Sequence, residues 1–93
     1  MSADAAAEVG LINRAVPPDE LDAAVAHYTT MVAGKSPKTI ELGLRAMRDS
    51  ESLTLENKLP LLSERLLETL ATEDAQEGLM AFLQKRAPEW KGR

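Results

Sequence analysis

Between residues 54 and 70 leucines recur so densely that no single neighbour could cover them. Leu55, Leu59, Leu62, Leu66 and Leu70 form one stripe at helical spacing. At ~100° per residue, Leu61 and Leu67 fall well outside that stripe, on either side of the opposite face. A helix apolar on more than one side has to be buried on more than one side. The chain has 93 residues, and a domain that small buries only somewhat more than ~60% of the surface its unfolded chain exposes. The requirement therefore points outward, to another subunit or a missing domain, ahead of a private core.

Apolar residues make up 44% of the chain but aromatics only 3%, so Leu, Ala, Val and Met must do the packing. That favours helices over a β-sandwich. With no cysteine there is no disulfide framework, thiolate nucleophile or zinc-thiolate site, and a reducing cytoplasm is the expectation. No apolar run approaches the ~20 residues of a membrane span, and the Ala-rich start lacks the features of a signal peptide. The net charge of −4 argues against nucleic-acid binding. The basic residues Lys85, Arg86, Lys91 and Arg93 gather in the last fourteen positions against one acid, Glu89.

The pattern along the chain is a series of helix starts and stops. Ser2 caps a short helix over residues 3–9, and Gly10 ends it in a left-handed conformation. Residues 11–16, Leu-Ile-Asn-Arg-Ala-Val, read as a lone extended segment stopped by Pro17-Pro18; such a strand wants a partner outside the chain or a tight turn within it. Pro18 and the acids Asp19, Glu20 and Asp22 open a helix carrying Leu21, Val25, Tyr28 and Val32, closed by Gly34. Ser36-Pro37 opens another through about Arg48, with Ile40, Leu44 and Met47 on one side, followed by a polar connection at residues 49–52. Thr54 caps the leucine helix, in which Pro60 predicts a kink or a true start near Lys58. Thr72 caps the last helix, with Ala75, Leu79 and Phe82 facing inward and Pro88 as its stop. Gly43 and Gly78 lie inside helical patterns, where close helix packing would explain them.

Little in this pattern is catalytic. His27 is the only histidine and lies off its helix's apolar stripe, so a solvated imidazole outweighs a general base. No metal-ligand spacing or glycine-rich phosphate loop occurs. Glu64 and Glu68 share a helix face, but Arg65 beside them suggests a solvent face before a carboxylate pair. Phe82 and Lys85 project from the same side of the last helix near its end. An aromatic ring can stack on a base while an ammonium neutralises phosphate, which suits a nucleotide-bearing ligand. By spacing alone, a core Phe82 and a helix-end Lys85 remain the plainer reading.

The residue order adds to this. Gly10-Leu-Ile-Asn-Arg-Ala-Val-Pro17, then Ser36-Pro37, then Thr72-Glu-Asp-Ala-Gln-Glu-Gly78, then Phe82-Leu-Gln-Lys-Arg86 with Pro88 and Trp90-Lys-Gly92, resembles the C-terminal part of the enoyl-CoA hydratase/isomerase (crotonase) family. The resemblance covers essentially the whole chain. It implies a mainly α segment of several helices that forms trimers and helps enclose acyl-CoA, with residues 1–16 as a remnant of the edge of the family's spiral core and 17–93 as the C-terminal helical module. It implies that Leu61, Leu66, Leu67 and Leu70 face a neighbouring subunit or the spiral core. It also implies that Phe82 and Lys85 contact the adenine and phosphate portion of CoA bound mainly by an adjacent subunit.

The family's oxyanion-binding backbone N–H groups and catalytic glutamates lie upstream of anything in these residues, so this chain alone is expected to be inactive, with no catalytic residue of its own and no covalent cofactor. Pro60 departs from the resemblance. The alternative expectation is an independent helical protein–protein interaction module with no CoA role. An acid–base enzyme built on His27 is remote. Which acyl group, and which of the family's reactions, is decided by residues outside the sequence.

Overall fold

A computed structural model describes residues 1–93. It holds five α-helices, α1 (Ala3–Glu8), α2 (Leu21–Ala33), α3 (Pro37–Ser50), α4 (Leu55–Leu70) and α5 (Glu73–Gln84), with a single 3-10 turn at Pro18–Glu20 ahead of α2. It has no β-strand. The chain forms two compact units, Met1–Val32 and Ala33–Arg93.

In the first unit the Ser2 hydroxyl accepts from the Ala5 N–H at 3.2 Å, capping α1. Gly10 ends the helix with φ +74°, and the N–H groups of Gly10 and Leu11 donate to the carbonyls of Ala7 and Ala6 at 3.1 and 2.9 Å. That pair of bonds is the left-handed stop which glycine accommodates without a Cβ penalty. It also disposes of the expected strand. The first amides of residues 11–16 are spent on the helix they leave, with Ile12 N–H also pointing at the Ala6 carbonyl, and the segment runs as bends and irregular chain. On α2 the stripe of Leu21, Val25, Tyr28 and Val32 is exposed throughout.

In the second unit α3 packs chiefly on α4, and α5 closes on both. Ser36 caps α3 by accepting from the Thr39 N–H at 3.0 Å, with Pro37 in the first turn. The inward face of α3 is Leu42, Ala46 and Ser50, at i, i+4 and i+8, whereas Leu44 and Met47 are exposed and Ile40 is half-buried. Thr54 stands at the N-cap of α4 in an extended conformation, but its hydroxyl makes no capping bond; its carbonyl accepts from Asn57 and Lys58 instead. The helix begins at Leu55, not near Lys58, and continues through Pro60. The ring there removes the N–H that would have bonded the Glu56 carbonyl.

The bulky stripes do not supply the interior. Leu55, Leu59, Leu66 and Leu70 are all exposed, and the partly covered positions of α4 are Lys58, Leu61, Leu62, Arg65 and Thr69. On α5 the buried residues are Asp74 and Ala81, with Gly78 between them half-buried; Leu79 and Phe82, expected inward, are exposed. Small side chains at i, i+4 and i+7 let α5 approach closely, and that turns its large apolar residues outward. Gly43 corrects another expectation, because a Cβ there would meet nothing within 4 Å. Gly78 does mark close packing, against the indole of Trp90 rather than another helix.

Candidate functional site

The last nine residues fold back along α5 and are held there by three of its carboxylates, Asp74, Glu77 and the exposed Glu73, which takes Arg93 at 3.1 Å and Lys91 at 3.8 Å. Asp74, in the first turn, is 1% exposed. Its Oδ2 accepts from the Ser36 hydroxyl at 2.6 Å, and its Oδ1 accepts from the Lys91 and Gly92 N–H groups at 2.7 and 3.2 Å. Its own N–H donates to the Arg93 carbonyl at 2.9 Å. The Ser36 hydroxyl above all, then the amides of Lys91, Gly92 and Arg93, hold the carboxyl below its ordinary range against the opposing effect of burial. Gly92 takes φ +77° to present its N–H, with a Pro37 side-chain carbon 3.6 Å from where a Cβ would stand. Between these anchors the Trp90 indole N–H donates to the Gly34 carbonyl at 2.9 Å, and its ring lies over Gly78.

Glu77, one turn further along α5, takes both terminal nitrogens of Arg86 at 2.6 and 2.9 Å and the Glu89 N–H at 2.8 Å. The Arg86 hydrogen bonds, with the Glu89 amide second, lower the Glu77 carboxyl from 4.5 to about 2, and the same pairing raises Arg86. This fork closes across the end of α5. The Lys85 and Arg86 N–H groups donate to the Phe82 and Ala81 carbonyls at 3.2 and 3.0 Å, the pattern that stops α1 at Gly10. Here the left-handed residue is Lys85, with φ 52° and ψ 41°, the one non-glycine residue of the chain at positive φ. A side chain in that conformation costs about 1–2 kcal/mol.

Phe82 and Lys85 therefore meet solvent at one helix end. Phe82 is 80% exposed, Lys85 is exposed and in no ion pair of the chain, and neither belongs to a core. Lys85 stands one residue past the helix, in the left-handed cap, so the common helix face expected of the pair is not formed; what they share is the exposed end of α5. An open aromatic ring and an unpaired ammonium at one helix end can take a flat base and an anion. Of the four leucines singled out on α4, Leu66 and Leu70 lie on the open stripe, Leu67 is exposed beside it, and Leu61 is half-covered.

His27 is exposed, its ring edge-on to Tyr28 at 5.5 Å. Glu68 is taken by Arg65 at 3.2 Å, so Glu64 and Glu68 are not a shared-proton pair. No three carboxylate or imidazole groups converge on a point that could hold a metal ion. Ser36 and Asp74 were legible only as local signals, a helix start and a first-turn acid, and Glu77 only as part of the block Thr72-Glu-Asp-Ala-Gln-Glu-Gly78; nothing in their spacing announces that Asp74 and Glu77 bind residues 86–93.

The family model for enoyl-CoA hydratase/isomerase matches residues 1–93. The 2,3-dehydroadipyl-CoA hydratase of Escherichia coli is 37% identical over 95 residues, covering 100% of this chain and 36% of that protein. Among solved structures, an enoyl-CoA hydratase/isomerase from Mycobacterium paratuberculosis superposes with a TM-score of 0.88 at 32% identity, over 100% of this chain and 37% of its own. An enoyl-CoA hydratase from Bacillus anthracis superposes at 0.89 and 29% identity, over 100% and 36%. The chain thus spans a little over a third of the length of these relatives.

Proposed function

The chain belongs to the enoyl-CoA hydratase/isomerase family, and from that premise we propose that it is the C-terminal oligomerisation and CoA-enclosing module of such a protein, working in the cytoplasm on acyl-CoA thioesters bound largely by other parts of the assembly. Residues 1–16 are then the remnant of the spiral core's edge and 17–93 the helical module, a division by role that differs from the compact break after Val32. The observation that carries the reading is the end of α5, where Phe82 is 80% exposed on the last turn and the unpaired Lys85 caps it. Phe82 stacks on the adenine and Lys85 neutralises phosphate of a CoA held by an adjacent subunit. The open leucines of α4, with Leu61, Leu66, Leu67 and Leu70 as its interface residues, meet a neighbouring subunit or the spiral core.

No catalytic role is assigned to any residue. The purified chain is expected to hydrate no enoyl-CoA; turnover that survives removal of contaminating enzyme sinks the proposal. Coenzyme A is expected to shift the amide signals of Phe82 and Lys85. The uncovered face of α4 also supports a second reading, an independent helical interaction module with no CoA role, and unchanged Phe82 and Lys85 signals in the assembled protein favour it.

A further inference from the structure

We propose that Glu77, acting through Arg86, is a positioning residue for Lys85. The pair fixes the left-handed backbone at Lys85 and so sets where its ammonium stands toward the anionic end of a CoA ligand. This role rests on the CoA reading of Lys85 given above.

Arg86 follows Lys85 directly, and its guanidinium reaches back nine residues to Glu77 with both terminal nitrogens, at 2.6 and 2.9 Å. It makes that contact where the chain reverses at Lys85, with φ 52° and ψ 41°. The same guanidinium bonds Gln84 on one side of the reversal at 2.7 Å and the Ala87 carbonyl on the other at 3.2 Å. Glu77 adds a third grip through the Glu89 N–H at 2.8 Å. Arg86 and Glu89 are thus tied to Glu77 on α5, and among the basic residues of the tail Lys85 alone is in no ion pair. A planar two-nitrogen fork is a geometry that lysine cannot copy, so charge alone does not supply it.

The test uses the assembled protein carrying this chain, with Glu77→Gln, Arg86→Lys, Lys85→Ala and the double change Glu77→Gln/Lys85→Ala, each checked for retained helix by circular dichroism and titrated with coenzyme A while the Phe82 amide is followed. Each single change is expected to weaken binding about fivefold, the upper end for a solvent-exposed ion contact. The double change is expected to be no weaker than Lys85→Ala alone, because Glu77 acts through Lys85. The Lys85 Cα chemical shift is expected to leave the left-handed range in Glu77→Gln and Arg86→Lys. Additive losses, or undiminished affinity in both Glu77→Gln and Arg86→Lys while Lys85→Ala binds weakly, overturn the positioning role. Failure of Lys85→Ala to weaken binding, or no response to coenzyme A in the unaltered assembled protein, overturns the CoA reading itself and this role with it. Should Glu77→Gln lose its helix, Arg86→Lys, which keeps the charge, decides by the same criteria.

Discussion

The Ser36 hydroxyl donates to the Asp74 carboxylate at 2.6 Å, joining the cap of α3 to the first turn of α5 across 38 residues of chain. One oxygen serves two structures, since the same hydroxyl accepts from the Thr39 N–H. Asp74→Ala removes the acceptor of Ser36, Lys91 and Gly92 together, leaving the buried Ser36 hydroxyl without its acceptor and the tail amides without their anchor. The expected result is release of residues 90–93, read as a red-shifted Trp90 emission and trypsin cleavage after Lys91 faster by about tenfold or more, since cleavage follows local opening. Unchanged cleavage would refute the anchoring role.

Gly78→Ala should change sign with its neighbour. A Cβ at Gly78 would stand 3.3 and 3.4 Å from the Trp90 ring, which is itself tied to Gly34. In the unaltered chain the substitution crowds the indole and cancels the helix-propensity gain. In a Trp90→Ala background the crowding disappears, and the same substitution stabilises by about 1 kcal/mol. Denaturant midpoints of the four chains measure the difference.

Lys85→Gly separates stability from function. Glycine takes the left-handed backbone freely, so the change should raise stability by about 1 kcal/mol at a C-terminal stop of this type. Under the proposed function it should also weaken coenzyme A binding. A substitution that stabilises the fold while weakening the ligand would show that the strained lysine is kept for its ammonium; a loss of stability would contradict the strain argument.

Acid should loosen the tail in a defined window. Glu77 is lowered from 4.5 to about 2 by Arg86 and the Glu89 amide, so its contribution to stability is full above about 4.5 and is lost as pH falls through about 2. Asp74, also lowered, acts in the same direction. Trp90 emission during acid titration is expected to change over that range, and Glu77→Gln should reduce the amplitude. A transition centred near neutral pH would be inconsistent with this.

The leucine faces give a prediction about association. Leu66 and Leu70 are 58% and 57% exposed, so Leu66→Glu with Leu70→Glu should leave the free chain's stability within about 0.5 kcal/mol per site. The unaltered chain is expected to self-associate in sedimentation and the double variant to run as a smaller species. Identical sedimentation, both as compact monomers, would remove the case for an interface on this face.

Local signals were legible in the sequence and distant ones were not. Ser2, Ser36 and Thr72 each accept the expected backbone N–H, and Gly10 takes the expected left-handed turn, because caps and stops are decided within four residues. The inward faces were misjudged where the largest apolar stripe was assumed to be the buried one. Ala46, Ala81 and Leu42 with the Asp74 carboxylate form the interior, and Leu44, Leu79 and Phe82 are left outside. The bulky stripes are surplus to this chain's own packing. Asp74 was legible as an acid suited to a helix start, but its partners lie 38 positions before it and 17 or 18 after it, a separation that no local pattern encodes.

The amides of Lys91 and Gly92 belong to no helix, yet they are bound to a carboxylate that is 1% exposed. Their exchange with solvent deuterium is therefore tied to the opening of α5 and α3 and not to the fraying of a strand of loose chain. Residues 91–92 are exposed, yet they share the lifetime of the helices they serve.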